Sequence, residues 1–134
     1  MKMIRLKIST ILLILCGVLQ PVMAQTDVVA TKPQFPGGDK ALVQFLDINL
    51  KYPEEAQKQK WEGKTLVAFT VNEDGSLTNV RILKSSQVVL DAEALRVIKL
   101  MPKWSPATVN GMPKKEMMVL PVNFDMKIMK NIMY

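Results

Sequence analysis

Two pairs of neighbouring carboxylates are the residues of this chain whose type and spacing best fit catalysis or metal binding. Glu54 and Glu55 would be candidates for a general acid and base, and Glu73 and Asp74 for ligands of Ca²⁺. Adjacent residues of a helix do not face each other, however, and acidic residues are favourable in the first turn of a helix. Glu73 and Asp74 fall in a predicted turn without the spaced pattern of a Ca²⁺ loop. Neither pair therefore predicts a catalytic or metal site.

The remaining residue inventory also points away from catalysis. The chain has no His and 1 Cys, Cys16, which lies close to the N-terminus. The commonest general base, the thiol nucleophile and the ligands of soft metals are therefore missing from most of the chain. We expect that the protein is not an enzyme and that it uses no cofactor and no metal.

Charge does not indicate a nucleic-acid partner. Half of the formal net charge of +6 comes from Lys2, Arg5 and Lys7, and the longest uninterrupted basic block is the pair Lys114-Lys115. A nucleic-acid-binding domain usually concentrates its basic residues on one face. We therefore expect no nucleic acid among the partners.

The first 24 residues have the order of a secretory signal peptide. A basic start precedes an apolar stretch over residues 8–19, and Ala24 is the small residue before the predicted cleavage point. The apolar stretch is about twelve residues long, whereas a membrane-spanning helix needs roughly 20. We expect export and cleavage after Ala24. An uncleaved anchor over residues 8–24 and lipid modification of Cys16 are the alternatives.

Helix signals recur along the rest of the chain. Residues 25–34 have no sustained periodicity and are interpreted as a short tether. Asp39 is predicted to cap a helix that ends near Leu50, and Pro53 to open a second helical segment. A third helix is predicted to begin at Asp91 and to end at Pro102, before a loop over residues 103–113.

Strand signals occupy three stretches. Residues 64–71 and 77–85 alternate in polarity around a tight turn at Gly75, which predicts an antiparallel hairpin. Residues 116–124 alternate again, with one apolar face. We predict an α+β fold, a two-layer sandwich in which a three-stranded antiparallel sheet packs against helical segments on one face.

Pro121 is the most informative residue of the last predicted strand. A proline has no N–H to donate to a ladder, so it belongs on an edge strand or at a bulge. An open edge can recruit a further strand from a peptide or from a second copy of the domain. A pairing defect with nothing bound is the alternative.

Taken in order, a set of short motifs resembles the C-terminal domain of TonB, the energy transducer of Gram-negative envelopes. The resemblance covers residues 35–124, and its opening motif Phe35-Pro36-Gly37-Gly38 looks like an extension found in one branch of that family. Its other parts are Tyr52-Pro53 with Ala56, Glu62-Gly63-Lys64, residues 67–71, Asp74-Gly75, residues 80–85, Leu90-Asp91 with Ala94, residues 102–106, Asn110-Gly111 and residues 121–124.

The resemblance implies a fold, a partner and a site. It implies a three-stranded antiparallel sheet with two helical segments packed on one face, in a domain of residues 35–125 followed by a tail, 126–134. It also implies binding of the TonB box, an extended segment of an outer-membrane transporter, by strand addition to the last strand. The edge residues would be Glu116, Met117, Met118, Val119, Leu120, Pro121, Val122 and Asn123. Lys51, Tyr52 and Pro53 would form a secondary contact, although Asn49-Leu50-Lys51 departs from the Gln-Pro pattern of the best-known members.

The resemblance leaves two functional readings open. In the first, a periplasmic TonB-type domain takes part in TonB-dependent transport, with a separate inner-membrane motor or anchor protein as a further partner. In the second, it is a free periplasmic adaptor or decoy module without a role in energy transduction. Residues 25–35 span only roughly 40 Å when fully extended, which favours the second reading or a separate anchor. A homodimer through the edge strand is compatible with both.

Aromatic and Met side chains also admit two interpretations. Trp61 and Trp104 are predicted to cover the end of a small core, with an exposed binding surface as the alternative. The tail, residues 126–134, is rich in Met and contains two Lys. It is interpreted as a frayed end, with a small amphipathic helix as the alternative.

Overall fold

Three helices and six strands make up the part of the chain that a computed structural model describes, residues 27–127. In chain order they are β1 (Ala30–Thr31), α1 (Asp39–Asn49), α2 (Glu54–Gln59), β2 (Gly63–Val71), β3 (Leu77–Lys84), α3 (Val88–Lys99), β4 (Ala107–Val109), β5 (Met112–Lys114) and β6 (Glu116–Phe124). The predicted signal peptide, Cys16 and tail residues 128–134 lie outside the described residues. Within residues 27–127, none of the helices combines the length and the apolar character needed to cross a membrane.

The main sheet is the predicted three-stranded antiparallel sheet. Its strand order is β3-β2-β6, with β2 in the centre and paired antiparallel to both neighbours. The hairpin between β2 and β3 turns at Gly75, whose φ of 86° lies in the region that favours glycine. The predicted α+β fold, with a sheet and helical segments, is confirmed.

The core lies between one face of this sheet and the helices. Alternate residues of β2 point into it, and so does one stripe of α3 at helical spacing. Its fully or nearly fully buried members include Val67, Phe69, Val71, Leu90, Ala94, Ile98 and Trp104. Trp104 packs edge-on against Phe69 at a centroid distance of 5.2 Å, and Trp61 is half-buried against the same cluster. The prediction that both Trp residues cover the core is confirmed.

A second sheet, β1-β4-β5, was not predicted from the sequence. Ala30 and Thr31 pair with Val109 and Thr108, so part of the expected tether is a strand. The expected loop over residues 103–113 also contains β4 and β5. Strands of two or three residues are too short for an alternating pattern to be visible. The overlooked signal was the pair Asn110-Gly111, which has positive φ at both residues and forms the turn of the β4–β5 hairpin.

The predicted helix starts were wrong by up to three residues. The first residue of α3 is Val88 instead of Asp91, and the N-cap of α1 is Gly38 instead of Asp39. The Asp91 carboxylate does not cap α3, because it accepts hydrogen bonds from the Ser86 N–H (3.1 Å) and the Thr65 hydroxyl (2.8 Å). The side chain therefore joins α3 to the central strand.

Candidate functional site

The candidate site is the outer edge of β6, which has β2 as its neighbour in the main sheet. The pairing with β2 runs without a register shift from Gly63↔Phe124 to Val71↔Glu116 and passes through Leu66↔Pro121. The prediction that Pro121 lies on an edge strand is confirmed, and Pro121 does not mark a bulge. The second edge of β6 is unpaired within residues 27–127, so its main-chain groups are open to another strand.

The position of Pro121 indicates which main-chain groups of β6 point outward. In an antiparallel pair, hydrogen-bonded and non-hydrogen-bonded residue pairs alternate along the ladder. A proline fits an uninterrupted ladder at a non-hydrogen-bonded pair, where its missing N–H would have faced away from the neighbour. Met117, Val119 and Asn123 share this orientation because they are separated from Pro121 by an even number of residues. The outward row therefore has three N–H donors, with a gap at Pro121.

The side chains of β6 alternate between the core and solvent, as predicted. Met118 and Leu120 are half-buried and Val122 and Phe124 are buried, on the face that packs against the helices. The opposite face is exposed, with Met117 and Val119 at 52% and 39% relative exposure. This face bears no reactive side chain, so the edge can offer main-chain hydrogen bonds and apolar contacts but no chemistry.

The structure brings Tyr52, a predicted secondary contact, to the end of the edge strand. Its ring meets that of Phe124 edge-on at 5.7 Å, and its hydroxyl donates to the Trp61 carbonyl. Burial, with the nearby charges of Glu62 and Asp125, raises the pKa of Tyr52. The phenol therefore stays a neutral donor at physiological pH.

The other two predicted contact residues lie beside Tyr52. The Lys51 side chain is exposed, while its main-chain N–H donates to Glu93 Oε1 at 2.7 Å. Pro53 is half-buried and occupies the N-cap position of α2. The three residues thus form a fixed corner at the carboxyl end of β6, with Lys51 on its solvent side.

A groove next to this corner was missed by sequence reasoning. It has a volume of ≈ 250 Å³ and lies between α1 and the last residues of β6, with Tyr52 at one end. Val43, Leu46 and Leu50 of α1 and its C-cap form one wall, and residues 121–124 form the other. The two walls are more than 70 residues apart in sequence, so no local pattern could reveal that they face each other.

No metal site accompanies the edge in the described part of the chain. Across residues 27–127, no group of three or more His, Cys, Asp or Glu side chains is placed to hold a metal ion. The arrangement offers an open strand, a fixed corner and an apolar groove. Together these features suit the binding of an extended peptide.

Comparison with known proteins identifies the family. A sequence model described as the Gram-negative bacterial TonB protein C-terminal matches residues 48–126, more than half of the chain. The protein TonB of Helicobacter pylori is 44% identical over 50 residues, which are 37% of this chain and 18% of that protein. The protein TonB of Campylobacter coli is 35% identical over 68 residues, 50% of this chain and 29% of that protein. The chain thus matches less than a third of the length of these relatives.

Solved structures agree with the sequence comparison. Two NMR solution structures of the Helicobacter pylori TonB C-terminal domain are 28% identical to this chain. The longer fragment gives a TM-score of 0.50, with 63% of this chain and 76% of that fragment covered. The shorter one gives 0.51, with 66% and 92% covered.

The family membership bears on activity and location. Proteins of this family are energy transducers and not enzymes, so the expectation that this protein is not an enzyme is confirmed. As a class, TonB proteins are associated with the envelope and interact with outer-membrane transporters in general. The chain belongs to the family of Gram-negative bacterial TonB C-terminal domains.

Proposed function

We propose that this domain binds the TonB box of an outer-membrane transporter in the periplasm by adding it as a strand to β6, and so takes part in TonB-dependent transport. The observation that carries the proposal is the unbroken nine-residue register of β6 on β2, with the other edge of β6 unpaired among residues 27–127. A regular edge of this length can guide a complete strand.

The energetics of this mode come mainly from the main chain. Each hydrogen bond between β6 and an added strand contributes about 1 kcal/mol net. The exposed Met117 and Val119 side chains would cover alternate side chains of the added strand on one face of the sheet. The corner at Lys51 and Tyr52 would contact the partner next to the end of β6 where Phe124 lies. The main-chain hydrogen bonds and these side-chain contacts together suit a specific but reversible complex.

Val119→Pro tests the proposal most directly. Val119 shares the outward orientation of Pro121, so the substitution removes an outward N–H without removing a hydrogen bond to β2. Synthetic peptides carrying TonB-box segments of outer-membrane transporters would be titrated and followed by fluorescence anisotropy. We expect at least a tenfold loss of affinity, with a change of less than about 1 kcal/mol in the free energy of unfolding.

Val119→Thr is the matched control, because it keeps the N–H and a β-branched side chain at the same exposed position. It should retain wild-type affinity. Unchanged peptide binding by Val119→Pro would rule out addition to this edge. Sedimentation velocity of the free protein would show whether a second copy, instead of a peptide, pairs with β6.

A further inference from the structure

We propose that the groove between α1 and β6 selects the added strand by taking one bulky apolar side chain that has a basic residue two positions away, on the same face of the strand. This inference rests on the proposed strand addition and names the class of segment that the edge prefers. The side chain would enter from the position of the added strand that faces Val122. The basic residue two positions along the strand would point the same way and would face the carboxylates of Asp47 and Asp125, which line the groove.

The first argument is the position of the groove relative to an added strand. Val122 and Phe124 point to the helix side of the sheet, and both line the groove. A strand added to β6 would lie roughly 4.8 Å from it, with its own side chains alternating between the same two faces. Its residue opposite Val122 would therefore point to the helix side. That direction leads into the space bounded by Leu46, Leu50 and Tyr52.

The second argument is that the main chain is least able to hold a partner at this point. Pro121 has no N–H, so the outward row of donors on β6 is interrupted next to the groove. Main-chain hydrogen bonds are also nearly the same for every sequence and cannot distinguish one strand from another. Selection must come from side chains, and the groove is the concave apolar surface beside the interruption.

The third argument is charge. Asp47 and Asp125 line the groove, and no Lys or Arg is among the residues that line it. The Asp125 Oδ1 atom accepts a hydrogen bond from the Lys127 N–H at 2.8 Å, which holds this carboxylate in place. A basic residue two positions from the buried apolar one would lie on the same face of the added strand and would be attracted to these two carboxylates, whereas an acidic residue would be repelled.

A set of four host–guest peptides provides the test. Each is a fluorescein-labelled nine-residue host of Thr, Val and Ser with two guest residues separated by one Ser, so that both guests lie on the same face of the strand. The central triplet is Phe-Ser-Lys, Phe-Ser-Glu, Ala-Ser-Lys or Ala-Ser-Glu. Binding to the full chain is measured by anisotropy at low salt. We expect the peptides with Phe to bind about tenfold tighter than the matching peptides with Ala, because a large apolar side chain is buried in the groove. The peptides with Lys should bind a few-fold tighter than the matching peptides with Glu.

Variants on the exposed surface of α1 assign these preferences to the groove. Val43→Lys should remove the Phe preference, and Asp47→Asn should reduce the Lys preference, because both residues line the groove. The control is Ile48→Lys, which changes a more exposed residue of the same helix, 81% against 56% for Val43, that does not line the groove. It should leave both preferences unchanged.

The outcomes separate this inference from the proposed function. If Val119→Pro abolishes binding but the wild-type protein shows no Phe preference, strand addition stands and the groove inference is overturned. If Val119→Pro changes nothing, strand addition itself fails. A Phe preference that emerges only after deletion of residues 128–134 would mean that the chain fills its own groove. A wild-type dimer that Val43→Lys converts to a monomer would mean that a second copy fills it. Either result overturns the inference.

Discussion

The two edge strands of the main sheet, β3 and β6, differ in the regularity of their pairing with the central strand. β6 matches β2 residue for residue over nine pairs. β3 has two register shifts against the same strand, one of which places Asn79 and Val80 opposite Phe69. Asn79 has a φ of 53°, in the left-handed region that Asn tolerates better than most residues. One edge is therefore regular and the other is bulged.

Under the proposed function, this difference would let the sheet accept one strand at β6 while β3 resists pairing with other chains. A bulge bends and twists an edge, so that an added strand cannot keep its hydrogen bonds over several residues. β3 is thereby protected, whereas β6 remains available. Under the proposed function, the two edges have different roles, a structural one for β3 and an interacting one for β6.

Attachments at both ends of β3 fit its structural role. At the hairpin turn, the Gly75 carbonyl accepts a hydrogen bond from the Trp104 N–H at 2.9 Å. At the other end, Asp91 accepts hydrogen bonds from Ser85 and Ser86, the residues that follow β3. Disturbing these attachments should affect folding far more than a change on the outer edge of β6.

Gly75→Ala is expected to have the largest effect. A Cβ atom at Gly75 would lie 2.1 Å from the Trp104 carbonyl oxygen, at a position with a φ of +86°. Backbone strain and the clash together should lower the free energy of unfolding by about 3 kcal/mol or more. Urea unfolding followed by Trp fluorescence would measure the loss.

Gly111→Ala is the matched control for that substitution. Gly111 has a similar φ of +80°, but a Cβ atom added there would meet nothing within 4 Å. Only the backbone cost should remain, about 1 kcal/mol. Equal losses of unfolding free energy in the two variants would show that the close contact between the turn and Trp104 does not contribute to the effect of Gly75→Ala.

Asp91→Asn is expected to have an intermediate effect that depends on pH. Burial alone would raise the pKa of Asp91, but hydrogen bonds from Ser85, Ser86 and Thr65 outweigh it and hold the pKa below its ordinary value of 3.8. The stabilisation is therefore present above pH 3.8 and is lost as the pH falls through the lowered pKa. At pH 7 the variant should lose about 2 kcal/mol of unfolding free energy.

Acid titration of the two proteins, followed by circular dichroism, would check the sign of this effect. The gap in stability between wild type and Asp91→Asn should narrow as the pH drops below about 4. Asp39→Asn serves as the control, because Asp39 is exposed and makes no side-chain capping hydrogen bond in α1. A gap that stays constant down to about pH 2 would contradict the assigned role of the Asp91 charge.

Deletion of Asn79 is expected to change stability least and to test the comparison itself. Removing the extra residue would set Val80 directly opposite Phe69 and make β3 more regular. Stability should change by about 1 kcal/mol or less, while the new open edge should promote self-association in sedimentation velocity. Asn79→Gly keeps the residue count and should remain like wild type. A deletion variant that is equally monomeric would show that the bulge does not protect the edge.

The hairpin and the edge position of Pro121 could be predicted because their signals are local. Alternating residues around Gly75 specify a hairpin, and Pro121 specifies an edge strand or a bulge. Only the unbroken register with β2 decided between the two. The second sheet could not be recognised from alternation because its strands have two or three residues.

The local pattern of the sequence by itself determined the order of the main elements. The sequence also shows directly that the chain has no His and that it carries the family motifs. The tertiary structure alone decided which distant residues meet. It placed Val43 of α1 across a groove from Asn123 and turned Asp91 away from the helix end towards Thr65. The physical reason is that periodicity and turn chemistry act over a few residues, whereas grooves and hydrogen-bond networks form only when separate elements pack together.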